Sequence, residues 1–393
     1  MNNLFIAYNI SELEKKIVLS EAENLYKSNV VTEEQWPKIQ KALATKLYTP
    51  SIFIKILLFI VSIIGMLTIM GPIALIFGNI GESGYQFLSF LLGGSILFFT
   101  DQVLIKAKSH YKSGVTEAGI YSGLGFIAFA ILGLDSLGWL AYPLVGLILA
   151  AFAAIRYLNL TALVLSIVFF VWIIFQTLLY IGGVVQALMP FIFMISFGLI
   201  YWGSKRIESK LAKVFLIDQF IIIQTISLLL IYIAGNYFVV RELSVKMLDL
   251  TLADNQDIPF AFLFYGFTAI IPIAYVYWGL KQKSIMFIRV ALLTLALSVI
   301  TLKYYFSLGM PIVTITLSGG ILIGLALLLL NYLKQIRHGY TREKLLNDKW
   351  SSPNLMAFIA SQTLVGNQVQ GSESNDPIPG GGSFGGGGAG GNW

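Results

Sequence analysis

Two acidic–amide dipeptides, Asp101-Gln102 and Asp218-Gln219, place ionisable side chains inside long apolar runs. A carboxylate within hydrocarbon is costly to keep and marks proton coupling or cation binding. At ~1.5 Å rise per residue, both carboxylates fall roughly 6–8 Å inside the same membrane boundary. At that depth they also reach headgroups or lysines such as Lys106 and Lys213. Both readings stand: coupling of transport through Asp101 and Asp218, or interfacial ion pairing. Membrane aspartyl proteolysis would use two such carboxylates, but the GxGD pattern it needs is missing.

Other chemistries lack their parts. GESG at 81–84 matches the GxSG string of intramembrane serine proteases, whose serine needs a histidine base within hydrogen-bond reach. The chain has only His110 and His338, both assigned to the face opposite Ser83, so 81–84 reads as a turn. There is no cysteine, which excludes disulfides, thiol catalysis and thiolate metal sites. Two histidines do not make a transition-metal centre. GxxxxGK[ST], HExxH and GxSxG strings are absent, and no cofactor or metal is expected.

The elements that carry these residues follow from solvent preference. Hydrophobic residues make up 57% of the 393 and charged residues 12%, about half the charge of a soluble domain. The mean hydropathy is +0.79. Runs of about 20 apolar residues cross a bilayer as helices. Such runs fall at about 52–77, 85–105, 117–134, 137–155, 158–181, 184–203, 214–235, 259–280, 285–306 and 309–333. The fold class expected is an all-α, polytopic transmembrane helix bundle of about ten spans in a lipid bilayer.

Charge fixes the sidedness. With the N-terminus inside, only Arg241, Lys246 and Lys303 of the 26 lysines and arginines fall outside. The positive-inside rule predicts that asymmetry, and it puts both termini in the cytoplasm. The net charge of +6 is then explained by topology, and no nucleic-acid partner is implied. Residues 236–258 become the largest outer loop.

Ten spans also fit two inverted halves, a plan common in transporters. The dipeptides fall in spans two and seven, as such halves require, but at opposite ends of them. Pro72, Pro143, Pro190, Pro272 and Pro311 sit in or at the start of spans. Gly119–Gly123 and Gly320–Gly324 have the spacing that lets helices approach closely.

The ends differ from the bundle at 51–333. Residues 1–50 read as a cytoplasmic helical hairpin, with capping boxes at Ser11/Glu14 and Thr32/Gln35. Leu13, Ile17 and Leu25 share one face of it. Two short helices cannot fold alone, so the hairpin must pack on the bundle, on a copy of itself or on a partner; the bundle is favoured, with Trp36 as the anchor, and Trp36 is also a candidate partner contact. Residues 334–350 form a basic juxtamembrane segment. Residues 351–393 form a flexible tail, glycine-rich towards its end, where Phe384 and Trp393 suit a short motif read by a protein partner.

The stretch EAENLYKSNVVTEEQWPKIQKAL followed by a long span resembles bacterial predicted membrane proteins of a domain-of-unknown-function family. GGGSFGGGGAGGNW is similar to the C-terminal tails of bacterial TPM-domain membrane proteins, although the TPM domain itself is absent. These resemblances imply a bacterial inner-membrane protein and a partner that reads the tail. They supply no activity. The expectation is a non-enzymatic scaffold or assembly component. A proton- or cation-coupled small-molecule transporter using Asp101 and Asp218 is the alternative.

Overall fold

The computed structural model describes residues 5–27, 30–76, 80–133, 138–211, 213–247 and 257–305, and four isolated helical residues between 320 and 331. Among these residues the chain is all-helical apart from one isolated bridge between Tyr48 and His110. Helices α1 (Ile10–Lys27) and α2 (Trp36–Ala42) form the N-terminal hairpin. The apolar helices follow: α3 (Ile52–Ile76), α4 (Gly81–Phe99), α5 (Val115–Leu132), α6 (Ala141–Arg156), α7 (Leu160–Ile181), α8 (Val184–Leu211) and α9 (Ile217–Gly235). A short amphipathic helix, α10 (Tyr237–Met247), precedes α11 (Ala261–Lys281) and α12 (Ile285–Tyr305). The expected tenth span, the juxtamembrane segment and the tail, with Phe384 and Trp393, lie outside the described residues apart from those four.

Seven of these helical stretches are long and apolar enough to cross a membrane, while the apolar stretches Ile52–Thr68 and Ala141–Arg156 are shorter. Their outward faces are hydrocarbon: Phe53 and Phe262 are each 73% exposed and Phe98 is 68% exposed. Large apolar side chains turned outward in such numbers demand an apolar solvent. The chain is a multi-pass membrane protein.

Local signals explain where the helices start and stop. The Asn159 carboxamide accepts the Ala162 amide at 2.9 Å and starts α7, which ends at Gly182 with φ +71°. The box expected at Thr32/Gln35 forms reciprocally, at 3.1 and 3.3 Å. The box expected at Ser11/Glu14 does not open α1. Asn9 does so instead, accepting the Ser11 amide at 3.0 Å; its carboxamide reaches the second helical amide as an N-cap should.

Antiparallel neighbours pack as hairpins: α4 with α5, α6 with α7, α8 with α9, and α11 with α12. Helix α9 also meets α7, α11 and α12, which makes it the central element of the second half. The α4–α5 pair packs closely. A Cβ on Gly93 would stand 2.6 Å from the Gly123 carbonyl oxygen, and one on Gly119 would stand 2.2 Å from Thr100 Oγ1. The Gly119–Gly123 spacing therefore serves packing within the bundle, by letting two backbones touch. Gly93→Val is expected to destabilise the full chain by about 1–3 kcal/mol through overpacking. A thermal midpoint in neutral detergent equal to that of the wild type would show that the contact is dispensable.

The hairpins define two ends. One collects the N-terminal hairpin and the connections 106–116, 156–160, 211–217 and 281–285. Its core joins Ala7, Tyr8, Leu13 and Leu47 to Ile105, Ile120, Ala153, Tyr157 and Phe215. The connections assigned by charge to one face thus share one end. At the other end, Trp139 meets Tyr180 with ring centroids 5.3 Å apart, and α10 folds against α11.

Candidate functional site

At the closed end, α4 does not finish as an α-helix. Residues Thr100–Ala107 continue it as a π-helix, a widened turn that often marks functional positions in helices. The wider turn carries Asp101 inward, where it is 6% exposed, and Gln102 outward, where its side-chain oxygen accepts from Lys106 Nζ at 3.2 Å.

Asp101 meets Arg156, the last residue of α6, in a hydrogen-bonded ion pair through Oδ2. The sequence pointed to Lys106 or Lys213 as partners. Lys106 is instead taken by Gln102, because the π turn separates the two side chains. The Tyr157 hydroxyl lies against the same carboxylate and, with burial, is pushed well above its ordinary pKa. Asp101 Oδ1 is buried and receives no well-formed hydrogen bond.

Residues 5–9 close over this pair. The Ala7 amide donates to the Arg156 carbonyl at 2.9 Å, and Arg156 Nη1 donates to the Phe5 carbonyl at 3.2 Å. Tyr8 is buried with its ring edge-on to Tyr111, centroids 5.0 Å apart. The Tyr8 hydroxyl is pushed up strongly by burial and then by Glu117.

A two-residue bridge links neighbouring connections. The Tyr48 amide donates to the Ser109 carbonyl at 2.9 Å, and the Tyr111 amide donates to Tyr48 at 3.0 Å. Glu12 secures α1 to the segment that leads into this bridge. It accepts from the Lys46 amide at 2.8 Å and from Lys15 Nζ at 3.0 Å.

These bonds, the Lys46 amide first, lower the Glu12 carboxyl to about 2. A depressed carboxylate stabilises the fold above its unfolded pKa and loses that contribution as the pH falls through its folded value. Protection of the α1 amides, taken relative to their intrinsic exchange rates, should therefore fall between about pH 4.5 and 2. Glu12→Gln should abolish that pH dependence, and an unchanged profile in the variant would reject the assignment.

Asp218 is exposed on the first turn of α9. Gln219 is buried, with its carboxamide against the Phe215 and Leu216 carbonyls, to which its NH2 donates at 3.2 Å when the amide is turned to satisfy them. Asp218 is thus exposed on α9, whereas Asp101 is buried against Arg156 of α6. Trp36 does not anchor the hairpin on the bundle. It stacks on Tyr26, centroids 5.1 Å apart and planes 6° apart, while α1 makes the anchor through Leu13. Trp36 closes the hairpin on itself because Tyr26 ends the preceding helix within its reach.

A second polar assembly, at the opposite end, had no motif to announce it. Asn236 breaks α9 from α10 and bonds Tyr232 at 2.8 Å and Thr301 at 3.0 Å. Tyr237, fully buried, donates to Asp257 at 2.7 Å, accepts from Arg241 at 2.8 Å and stacks on Tyr265. The charge pattern assigned 236–258 to an outer loop. The helix α10 within it has a buried tyrosine at its first position, which no alternation rule singles out.

The closed end is chemically a lock. A guanidinium stays charged across the physiological range, so a proton arriving at Asp101 would leave a cation there without its partner. Fold and site together define the class: an all-α, multi-pass membrane protein whose N-terminal hairpin closes one end of the bundle. Compared with protein-family models, with curated proteins and with solved structures, the chain matches none.

Proposed function

We propose that this protein is a non-enzymatic scaffold or assembly component of a bacterial inner membrane, with both termini in the cytoplasm. One observation carries the reading. Residues 5–27 are fastened to the bundle through Leu13, Tyr8 and the Arg156 contacts, whereas α2 has no buried residue and turns Pro37, Lys38 and Lys41 outward. A helix held rigidly at the membrane surface with an open polar face is a platform for a partner. The tail, with Phe384 and Trp393 on a glycine tether, supplies a second contact.

Photo-crosslinkers at positions 38 and 41, compared between the full chain and a chain lacking 380–393, test this. The expected result is a defined protein adduct at α2, and loss of a subset of partners on deletion. Absence of adducts together with an identical partner list from both chains would reject the proposal. Reporter fusions in the 204–213 connection check the sidedness, and a periplasmic signal there would overturn the cytoplasmic assignment.

Coupled transport is the second reading, favoured by one feature: a buried intramembrane carboxylate with an unsatisfied oxygen, set in a π turn. Uptake and growth in Asp101→Asn/Asp218→Asn cells matching those of the wild type would remove it.

A further inference from the structure

We infer that the closed end carries a phosphate-binding site, formed by Lys16 and Lys112 at the Tyr111 ring together with Lys55 from the start of α3. The three lysines come from separate elements: α1, the first turn of α3, and the connection ahead of α5. Lys16 Nζ lies 5.2 Å and Lys112 Nζ 5.4 Å from the centroid of the Tyr111 ring. Lys55 stands in the field of both other ammoniums. None of the three forms an ion pair with a carboxylate within 4.0 Å among the described residues.

The charge count explains why an anion belongs here. Glu117 is the carboxylate whose field reaches Lys55. Its Oε2 is committed to the Gly114 amide at 2.7 Å and the Thr116 hydroxyl at 2.8 Å. Asp101 is neutralised by Arg156. Of the three ammoniums only Lys55 is shown in the field of Glu117, and Lys16 and Lys55 are half-buried where the lysines repel one another. Burial and the two neighbouring lysines lower the Lys16 ammonium to about 7. The mutual repulsion of these ammoniums is a cost that a bound anion removes.

Position selects the ligand class. The lysines surround the start of α3 and of α5, where apolar helices give way to connections, and that is headgroup depth. Lysine is a flexible point charge suited to phosphate oxygens. Its four rotatable side-chain bonds let three ammoniums close on one group. A phosphate group meets these requirements, either on an anionic phospholipid or free in solution.

The test uses the full chain in nanodiscs of phosphatidylcholine, with and without phosphatidylglycerol, and in neutral detergent with and without inorganic phosphate. Amine acylation at pH 8, read by mass spectrometry, reports each lysine. Lys16 should be acylated readily in phosphatidylcholine, because its lowered pKa leaves free amine at that pH. Phosphatidylglycerol should protect Lys16 and Lys112 together, but not Lys27 or Lys38. Protection by phosphatidylglycerol alone assigns a lipid headgroup; protection by inorganic phosphate as well assigns the phosphate group itself.

Lys16→Gln/Lys112→Gln should weaken phosphatidylglycerol retention roughly 25-fold, at about fivefold per lysine at an anionic surface. Lys16→Arg/Lys112→Arg should keep it. Equal acylation in all four conditions would overturn the proposal without any variant needing to fold. So would equal retention by wild type and the glutamine pair.

Discussion

Arg156→Leu should destabilise the protein by about 3 kcal/mol, and adding Asp101→Asn should return most of that loss. The asymmetry follows from what each change leaves behind. Removing the guanidinium strands a carboxylate whose side chain is 8% exposed and which forms no second ion pair within 4.0 Å among the described residues. It also removes the donor to the Phe5 carbonyl. Replacing both members leaves neither charge buried, and a neutral amide is far cheaper to enclose than an ion. Asp101→Asn alone should cost less than Arg156→Leu, since Arg156 is 20% exposed and keeps its bond to Phe5. Thermal unfolding of the four proteins in one neutral detergent gives the double-mutant cycle. A double variant as unstable as the sum of the singles would mean that the two side chains are not coupled.

Gly114→Ala should be comparably damaging, on the order of 3 kcal/mol, for a reason unconnected with charge. Gly114 has φ +91°, a region that side chains other than hydrogen avoid. Its would-be Cβ stands 2.0 Å from the Lys55 carbonyl oxygen and 3.1 Å from the Lys55 Cα. These are backbone atoms at the first turn of α3, so no rotamer change relieves the overlap. The helix start must move away from α3, and the Glu117 bond to the Gly114 amide moves with it. Gly125→Ala is the control, because a methyl group there meets nothing within 4 Å. Equal thermal midpoints for both variants would show that the joint between α3 and α5 yields freely.

The bundle was legible because hydrocarbon imposes one rule on every crossing. The run at 158–181 became Leu160–Ile181, and that at 285–306 became Ile285–Tyr305. Apolar composition sets the extent of each crossing, and for the first of them Asn159 and Gly182 fix the ends. Asp101 was also legible as a carboxylate in the wrong solvent. Its partner was not, because Arg156 lies 55 positions away and its charge already served to mark a cytoplasmic turn. Which of several basic residues on one face reaches a carboxylate depends on helix rotation, and a π turn resets that rotation without any residue that announces it. Asn236 shows the same limit: a polar residue after an apolar run reads as a span's end, and only the meeting of three helices reveals that it is enclosed. Trp36 read as an anchor because tryptophan buries a large area, but the sequence does not say against which neighbour.

Residues 5–9 are made before α3 to α9, yet the groups that hold them belong to Arg156, Tyr157 and Phe215. The chain must emerge from the ribosome past the end of α6, and then past the start of α9, before this segment has a place to rest. The closed end is therefore completed late in biogenesis, after several crossings have been inserted. Until then the same segment remains available to whatever factor meets the nascent chain at the membrane.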